Sequence, residues 1–272
     1  MQSGAAIEAL EAWLDSLGGA AVAVSGGIDS LTLSTVAGRT LGARATMFHA
    51  LSPAVPAEAT ARVRDMALHE AWLLRMIDAN EFDREEYVSN PVNRCFYCKQ
   101  SLYGVIARHT DLQILSGANT DDLGEYRPGL DAAREAGVRH PLVELGVNKD
   151  TIRRMARALG LGTLSELPAS PCLSSRVETG IGITPEMLAR IHAAERAVRA
   201  RIAAGNVRCR VRASGVVVEL DAPALERLSA NERDALATEV GRIFESRAAA
   251  FAPYRTGSAF LVRNDARTRH PA

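Results

Sequence analysis

Residues 25–30 read Ser-Gly-Gly-Ile-Asp-Ser and follow the small or β-branched run Ala21, Val22, Ala23, Val24. Gly26 and Gly27 permit a turn without Cβ atoms, and Asp29 and Ser30 then open an amphipathic helix. Backbone N–H groups left over at such a helix start point along the positive end of its dipole, so this stretch predicts a cradle for phosphate. No Gly-Lys-Ser/Thr follows, so the cradle is not of the Walker form. Cys95 and Cys98 have the Cys-x-x-Cys spacing, which at a turn or helix start brings two thiolates to one metal or cluster. The same pair could instead be half a zinc site or two core thiols; the flanking residues do not favour a thioredoxin-like couple. Asp121 and Asp122 could hold Mg²⁺ through oxygen, with Glu125 and Arg127 toward a substrate, or the run could be an Asp-rich capping turn.

Cys172 sits on a stiff segment between Pro168 and Pro171 and Arg176, where proline bars a helix. Arg176 could lower the thiol pKa or bind phosphate; alternatively Cys172 is a small buried hydrophobe. Arg208, Arg210 and Arg212 alternate, so on a strand they share one face and repel unless an anion lies between them. They read as a phosphate site or a solvated strand face, with Cys209 turned the other way into the core. Of 32 basic residues only Lys99 and Lys149 are lysines, and both lie near motifs where a compact ammonium can meet a phosphate.

These groups need a scaffold. At 272 residues with 47% apolar content, the chain can build a sizeable core. Lys plus Arg and Asp plus Glu both number 32, which gives no general basic field for nucleic acid. An apolar run of membrane-spanning length and a charged-then-apolar leader are both lacking, so a cytoplasmic protein with reduced cysteines is expected. Helices are predicted at 2–18, 56–71, 102–109, 130–136 and 148–160, alternating with strands at 21–24, 45–50, 72–77 and 113–117. That alternation predicts an α/β fold with a doubly wound parallel sheet. Residues 140–143 read as a short extended piece. From Thr184 the order becomes helix (184–203), hairpin (207–211 and 216–220), mostly helix (222–251) and strand (254–262). This predicts a first domain over 1–170 and a smaller C-terminal α+β domain over 171–272.

Taken in order, SGGIDS, NRCFYCK, GANTDDLGEYRPGL, PCLSSR, the RVR of 210–212 and YRTGS resemble the LarE-type ATP-dependent sulfur transferases, a branch of the PP-loop ATP pyrophosphatases. The resemblance implies ATP at Ser25, Gly26, Gly27, Asp29, Ser30, Asn119 and Asp122, with Mg²⁺ at Asp29 and Asp121. It implies a pyridinium dicarboxylate mononucleotide as substrate, met by Glu125, Arg127 and Arg176, with its phosphate at Glu195, Arg210 and Arg212. A carboxylate of this substrate is adenylated, pyrophosphate leaves, and sulfur then makes a thiocarboxylate on the way to a nickel-pincer cofactor. Asp29, Lys99 and Cys172 are the implied catalytic residues. With Cys95 and Cys98 beside Cys172, the chain fits the form in which three cysteines hold a 4Fe-4S cluster. In the other form, the cysteine corresponding to Cys172 gives up its own sulfur. A homo-oligomer, a hexamer by resemblance, is implied too. Thiolation of tRNA or of another metabolite, and a nucleotide-binding regulator without turnover, remain open alternatives.

Overall fold

The computed structural model describes residues 3–124, 127–168, 171–246 and 248–260. In chain order the elements are α1 (Ser3–Asp15), β1 (Ala20–Ala23), α2 (Ile28–Leu41), β2 (Ala45–Leu51), α3 (Ala57–His69), β3 (Leu73–Asp78), α4 (Glu85–Val88), α5 (Arg94–Ala107) and β4 (Gln113–Ser116). They continue with α6 (Pro128–Glu135), α7 (Pro141–Glu144), α8 (Lys149–Ala158), α9 (Pro185–Arg201), β5 (Val207–Arg212), β6 (Gly215–Leu220), α10 (Ala222–Arg227), α11 (Ala230–Ile243) and β7 (Ala250–Pro253). The chain divides into two compact units, Met1–Arg84 with Asn93–Ser170, and Glu85–Val92 with Pro171–Ala272.

In the first unit β1 is apolar throughout, because both of its faces are covered. Ala20 and Val22 turn to one face, into a core with Leu10 and Leu14 of α1, Leu31 and Leu33 of α2, and Ile152 and Met155 of α8. Ala21 and Ala23 turn to the other, packing with Tyr103 and Ile106 of α5 and Ala133 of α6. The strands are all parallel in the order β3-β2-β1-β4. This is the doubly wound sheet that the sequence predicts. Ligands of such sheets lie beyond the carboxyl ends of the strands, where the loops after β1, β2 and β4 gather.

In the second unit β5 and β6 form an antiparallel hairpin in which Val207 faces Leu220 and Arg212 faces Gly215. β7 adds to β6 in parallel, giving a three-stranded mixed sheet. The Thr184 hydroxyl caps α9 by accepting the Met187 N–H at 3.1 Å, and Pro185 takes the first helical turn, where its missing N–H does no harm. Leu188, Ile191, Ala194 and Val198 line the buried stripe of α9.

Three local expectations change. Residues 141–144 form a helical turn, because Pro141 sits at a first helical position with its φ already set. Helix α5 begins at Arg94, not at residue 102, since nothing between 94 and 103 breaks it. The last described strand is β7, Ala250–Pro253, which begins in the stretch expected to be helical and ends before the expected strand; residues 254–260 form no strand, and 261–262 lie outside the described residues. No helix among the described residues is long and apolar enough to cross a membrane.

Candidate functional site

The turn after β1 is held by its own serines. Ser25 N–H donates to Ser30 Oγ at 3.1 Å, the two hydroxyls lie 3.0 Å apart, and Ser30 Oγ donates to Gly27 O at 3.0 Å. Gly26 has φ +80°, and a Cβ there would lie 2.6 Å from Ala59 O, so only glycine fits. Gly27 is the N-cap of α2 and supplies no side-chain cap. The first turn of the helix therefore has no side-chain cap on its N–H groups. Gly117, just past β4, packs so closely that a Cβ would lie 2.8 Å from Ser30 N. That contact brings the acidic loop after β4 against the start of α2.

The acidic loop is a chain of short bonds. Asn119 N–H donates to Asp122 Oδ2 and Asp121 N–H to Asn119 Oδ1, both at 3.0 Å. Lys149 N–H donates to Asp121 Oδ2 at 3.0 Å, while its ammonium reaches Asp29 Oδ2 at 2.5 Å. Asn148 caps α8 through the Thr151 N–H, which fixes where Lys149 emerges. Burial pushes the Asp29 carboxyl above its ordinary range despite the pull of Lys149, and the charge of Asp122 adds to the rise. Asp29 Oδ1 is buried and has no hydrogen-bond partner among the described residues. An acidic oxygen left unsatisfied beside a phosphate-type turn fits a divalent cation. The sequence marks Lys149 as a rare lysine placed to meet a phosphate; the structure pairs it with Asp29. Arg127 pairs with Asp122 at 2.8 Å, and Glu125 lies outside the described residues.

Cys95 and Cys98 lie at the start of α5, in its first and second turns, half-buried, on one helix face three residues apart. Gly129 of α6 lies against them: a Cβ there would meet Lys99 Cγ at 3.1 Å and Cys95 O at 3.6 Å. The Lys99 ammonium stands 5.7 Å from the Tyr103 ring centroid. Its charge, together with the larger effect of burial, lowers His140, whose Nδ1 is 2.8 Å from Ser116 Oγ at the end of β4. Among the described residues, no three His, Cys, Asp or Glu side chains stand together in a way that could hold a metal ion.

Cys172 belongs to the second unit, half-buried at the N-cap of a short turn, Leu173–Arg176. Arg176 is the clamp of that turn. Its guanidinium is 2% exposed and donates to Pro171 O (2.7 Å), Cys172 O (3.0 Å) and Ser175 Oγ (3.0 Å), with Nε on Glu195 Oε1 (2.9 Å). These donors go to the chain itself. Glu195 also accepts the Cys209 N–H at 3.1 Å and is flanked by Arg199. Burial raises Glu195, but the arginines around it outweigh that and hold its carboxyl below the ordinary range. The anion expected between the β5 arginines is Glu219, on β6. It takes Arg210 Nε at 2.9 Å, Arg212 Nη2 at 2.5 Å and the Ser258 hydroxyl at 2.7 Å. Arg208 is buried, which lowers it to about 10. Cys209 is fully buried, and burial pushes its thiol far up, as befits a core residue.

A parallel sheet ending in a Ser-Gly-Gly-x-Asp-Ser turn defines a PP-loop α/β protein. No family model matches the chain. An uncharacterised protein of Synechocystis sp. is 36% identical over 227 residues, spanning 79% of this chain and 81% of the relative. The pyridinium-3,5-bisthiocarboxylic acid mononucleotide synthase of Lactiplantibacillus plantarum is 30% identical over 195 residues, 70% of each chain. An uncharacterised protein of Methanocaldococcus jannaschii is 25% identical over 211 residues, 74% of this chain and 77% of the relative. The chain belongs to the family of that synthase, the LarE-type sulfur transferases.

Proposed function

We propose that this protein is an ATP-dependent sulfur transferase that converts a carboxylate of a pyridinium dicarboxylate mononucleotide into a thiocarboxylate. The likeness to the named synthase carries this reading. Ser25, Gly26, Gly27 and Ser30 would receive the phosphates, with Asn119 and Asp122 also on ATP. The unsatisfied Asp29 oxygen, with Asp121, would hold Mg²⁺. Lys149 would then exchange its Asp29 partner for a phosphate oxygen, and Lys99 would steady the leaving pyrophosphate or the substrate. A carboxylate oxygen attacks the α-phosphorus, the α–β bond breaks and pyrophosphate departs. A sulfur nucleophile then attacks the acyl carbon, and AMP leaves with one former carboxylate oxygen.

Two thiols on one face of α5 suit two corners of an iron-sulfur cluster, and Cys172 would be its third ligand; bound, such a cluster would supply the sulfide. Arg127 and Glu125 would face the substrate ring. Arg212, 27% exposed on its side chain, is the arginine we assign to the substrate phosphate; Glu219 and Arg210 orient it, and Glu195 steadies the same unit. By the same reading the protein is a homo-oligomer. The route is tested with substrate carrying ¹⁸O in its carboxylates. Label in the AMP is expected, and product formed with unlabelled AMP overturns adenylation.

A further inference from the structure

A half-buried histidine beside the phosphate turn has no part in the chemistry above. His140 follows Arg139, whose backbone runs along β4: Arg139 N–H donates to Ile114 O at 3.0 Å, and Ser116 N–H donates to Arg139 O at 3.1 Å. The imidazole reaches the same serine, with Nδ1 2.8 Å from Ser116 Oγ. Although His140 is the N-cap of α7, its side chain caps nothing there. Ser116 ends β4 and is the register partner of Ala23, which ends β1, so the ring stands where the phosphate turn leaves the sheet. One residue further on, Gly117 packs against Ser30 N at the start of α2.

The Ser116 hydroxyl has His140 as its one hydrogen-bond partner among the described residues. Were it to accept from the ring, its own proton would go unused in a half-buried place. By donating to Nδ1 it completes the bond, and the ring proton then belongs on Nε2. Nε2 has no partner among the described residues and is not one of the buried orphan atoms there, so a ligand can reach it. The charged groups facing the ring are Lys99 of α5, Asp122 of the acidic loop and Glu144 of α7, the last itself paired with Arg139. Burial, with the Lys99 charge added, outweighs the two acids and holds the ring below the ordinary histidine range, so at neutral pH it is uncharged.

We infer that His140, held by Ser116 with its proton on Nε2, donates a hydrogen bond to the acyl oxygen of the activated acid as sulfur adds to it. The inference rests on the sulfur-transfer reading above. Addition of sulfur to the acyl carbon turns that oxygen into an oxyanion, and it becomes a carbonyl again when the bond to AMP breaks. The ring keeps its proton throughout. A neutral imidazole suits this work: an imidazolium would protonate the sulfur nucleophile, whereas a fixed neutral N–H answers the charge only where it develops.

Nitrogen-15 spectra of histidine-labelled protein read the tautomer, with the His140 signals assigned by their loss in His140→Gln. A neutral ring protonated on Nε2 is expected at neutral pH, and Ser116→Ala is expected to weaken that preference. An imidazolium, or a proton on Nδ1, in the wild type overturns the inference. Thiocarboxylate formation from ATP and the dicarboxylate mononucleotide is then followed in the same proteins. His140→Ala is expected to lower kcat about 10-fold or more with little change in the KM for ATP, and His140→Gln, whose amide still donates, to recover part of the loss. His140→Ala that forms product at the wild-type rate, or His140→Gln that is no better than His140→Ala, overturns the inference and leaves sulfur transfer standing. Wild type that forms no thiocarboxylate overturns both.

Discussion

Asp29→Asn is expected to lower ATP-dependent pyrophosphate release by about 10²- to 10³-fold, the size of effect seen when one preorganised electrostatic contact to a transition state is removed. Asparagine keeps the shape at the start of α2 but cannot neutralise Mg²⁺, and it leaves the Lys149 ammonium, 2.5 Å from the carboxylate in the native chain, without its charge partner. The fold should survive, because the helix is carried by Leu31, Leu33 and Val36 in the core, with no contribution from Asp29 to it. Pyrophosphate release at saturating ATP, followed beside the far-ultraviolet circular dichroism of the same sample, checks this. A variant with native dichroism and native release rates would remove Asp29 from the chemistry.

Glu195→Ala is expected to destabilise the second unit by about 3–5 kcal/mol, the usual cost of stranding one member of a buried ion pair. Arg176 would stay buried with its Nε unpaired, and the Cys209 N–H would lose its acceptor. Because the same guanidinium holds the carbonyls of Pro171 and Cys172, the Cys172 turn should loosen as well. Urea unfolding reads the first effect, and a faster reaction of Cys172 with a maleimide below the unfolding range reads the second. Glu195→Gln, which keeps an acceptor, should lose less on both counts. Equal stability of Glu195→Ala and wild type contradicts the clamp.

The sheet and its phosphate turn were legible because local chemistry alone decides them. An apolar strand followed by Gly-Gly has few alternatives, and Gly26 is confirmed by an atom 2.6 Å from where its Cβ would be. The ion pairs were not legible, since they join residues distant in sequence. Lys149 was marked by its rarity, but only the placement of α8 by its Asn148 cap reveals Asp29 as its partner. Glu219 could have been found: with the turn at Ser214 and Gly215, the hairpin register sets it opposite Arg208 and between the alternating arginines. The repulsion argument was sound, and the missing anion was in the next strand. The bonds of Arg176 to Pro171 O, Cys172 O and Glu195 were not legible, because its burial depends on the packing of residues distant in sequence. Residues 141–144 and 250–253 were missed for smaller reasons, a proline that starts a turn and a four-residue strand too short to show a period.

The account stands or falls on sulfur leaving this protein for an activated acid. The direct measurement is a single anaerobic turnover with ATP and the dicarboxylate mononucleotide, after iron and sulfide in the sample are assayed, with the masses of product and intact chain recorded together. The account predicts a product in which one carboxylate oxygen is replaced by sulfur, one AMP for each sulfur transferred, and an unchanged mass for the polypeptide in a sample containing iron and sulfide. A polypeptide lighter by the elements of H₂S at Cys172 would move the source from the cluster to that side chain. Pyrophosphate release with no sulfur in the product would contradict the account itself.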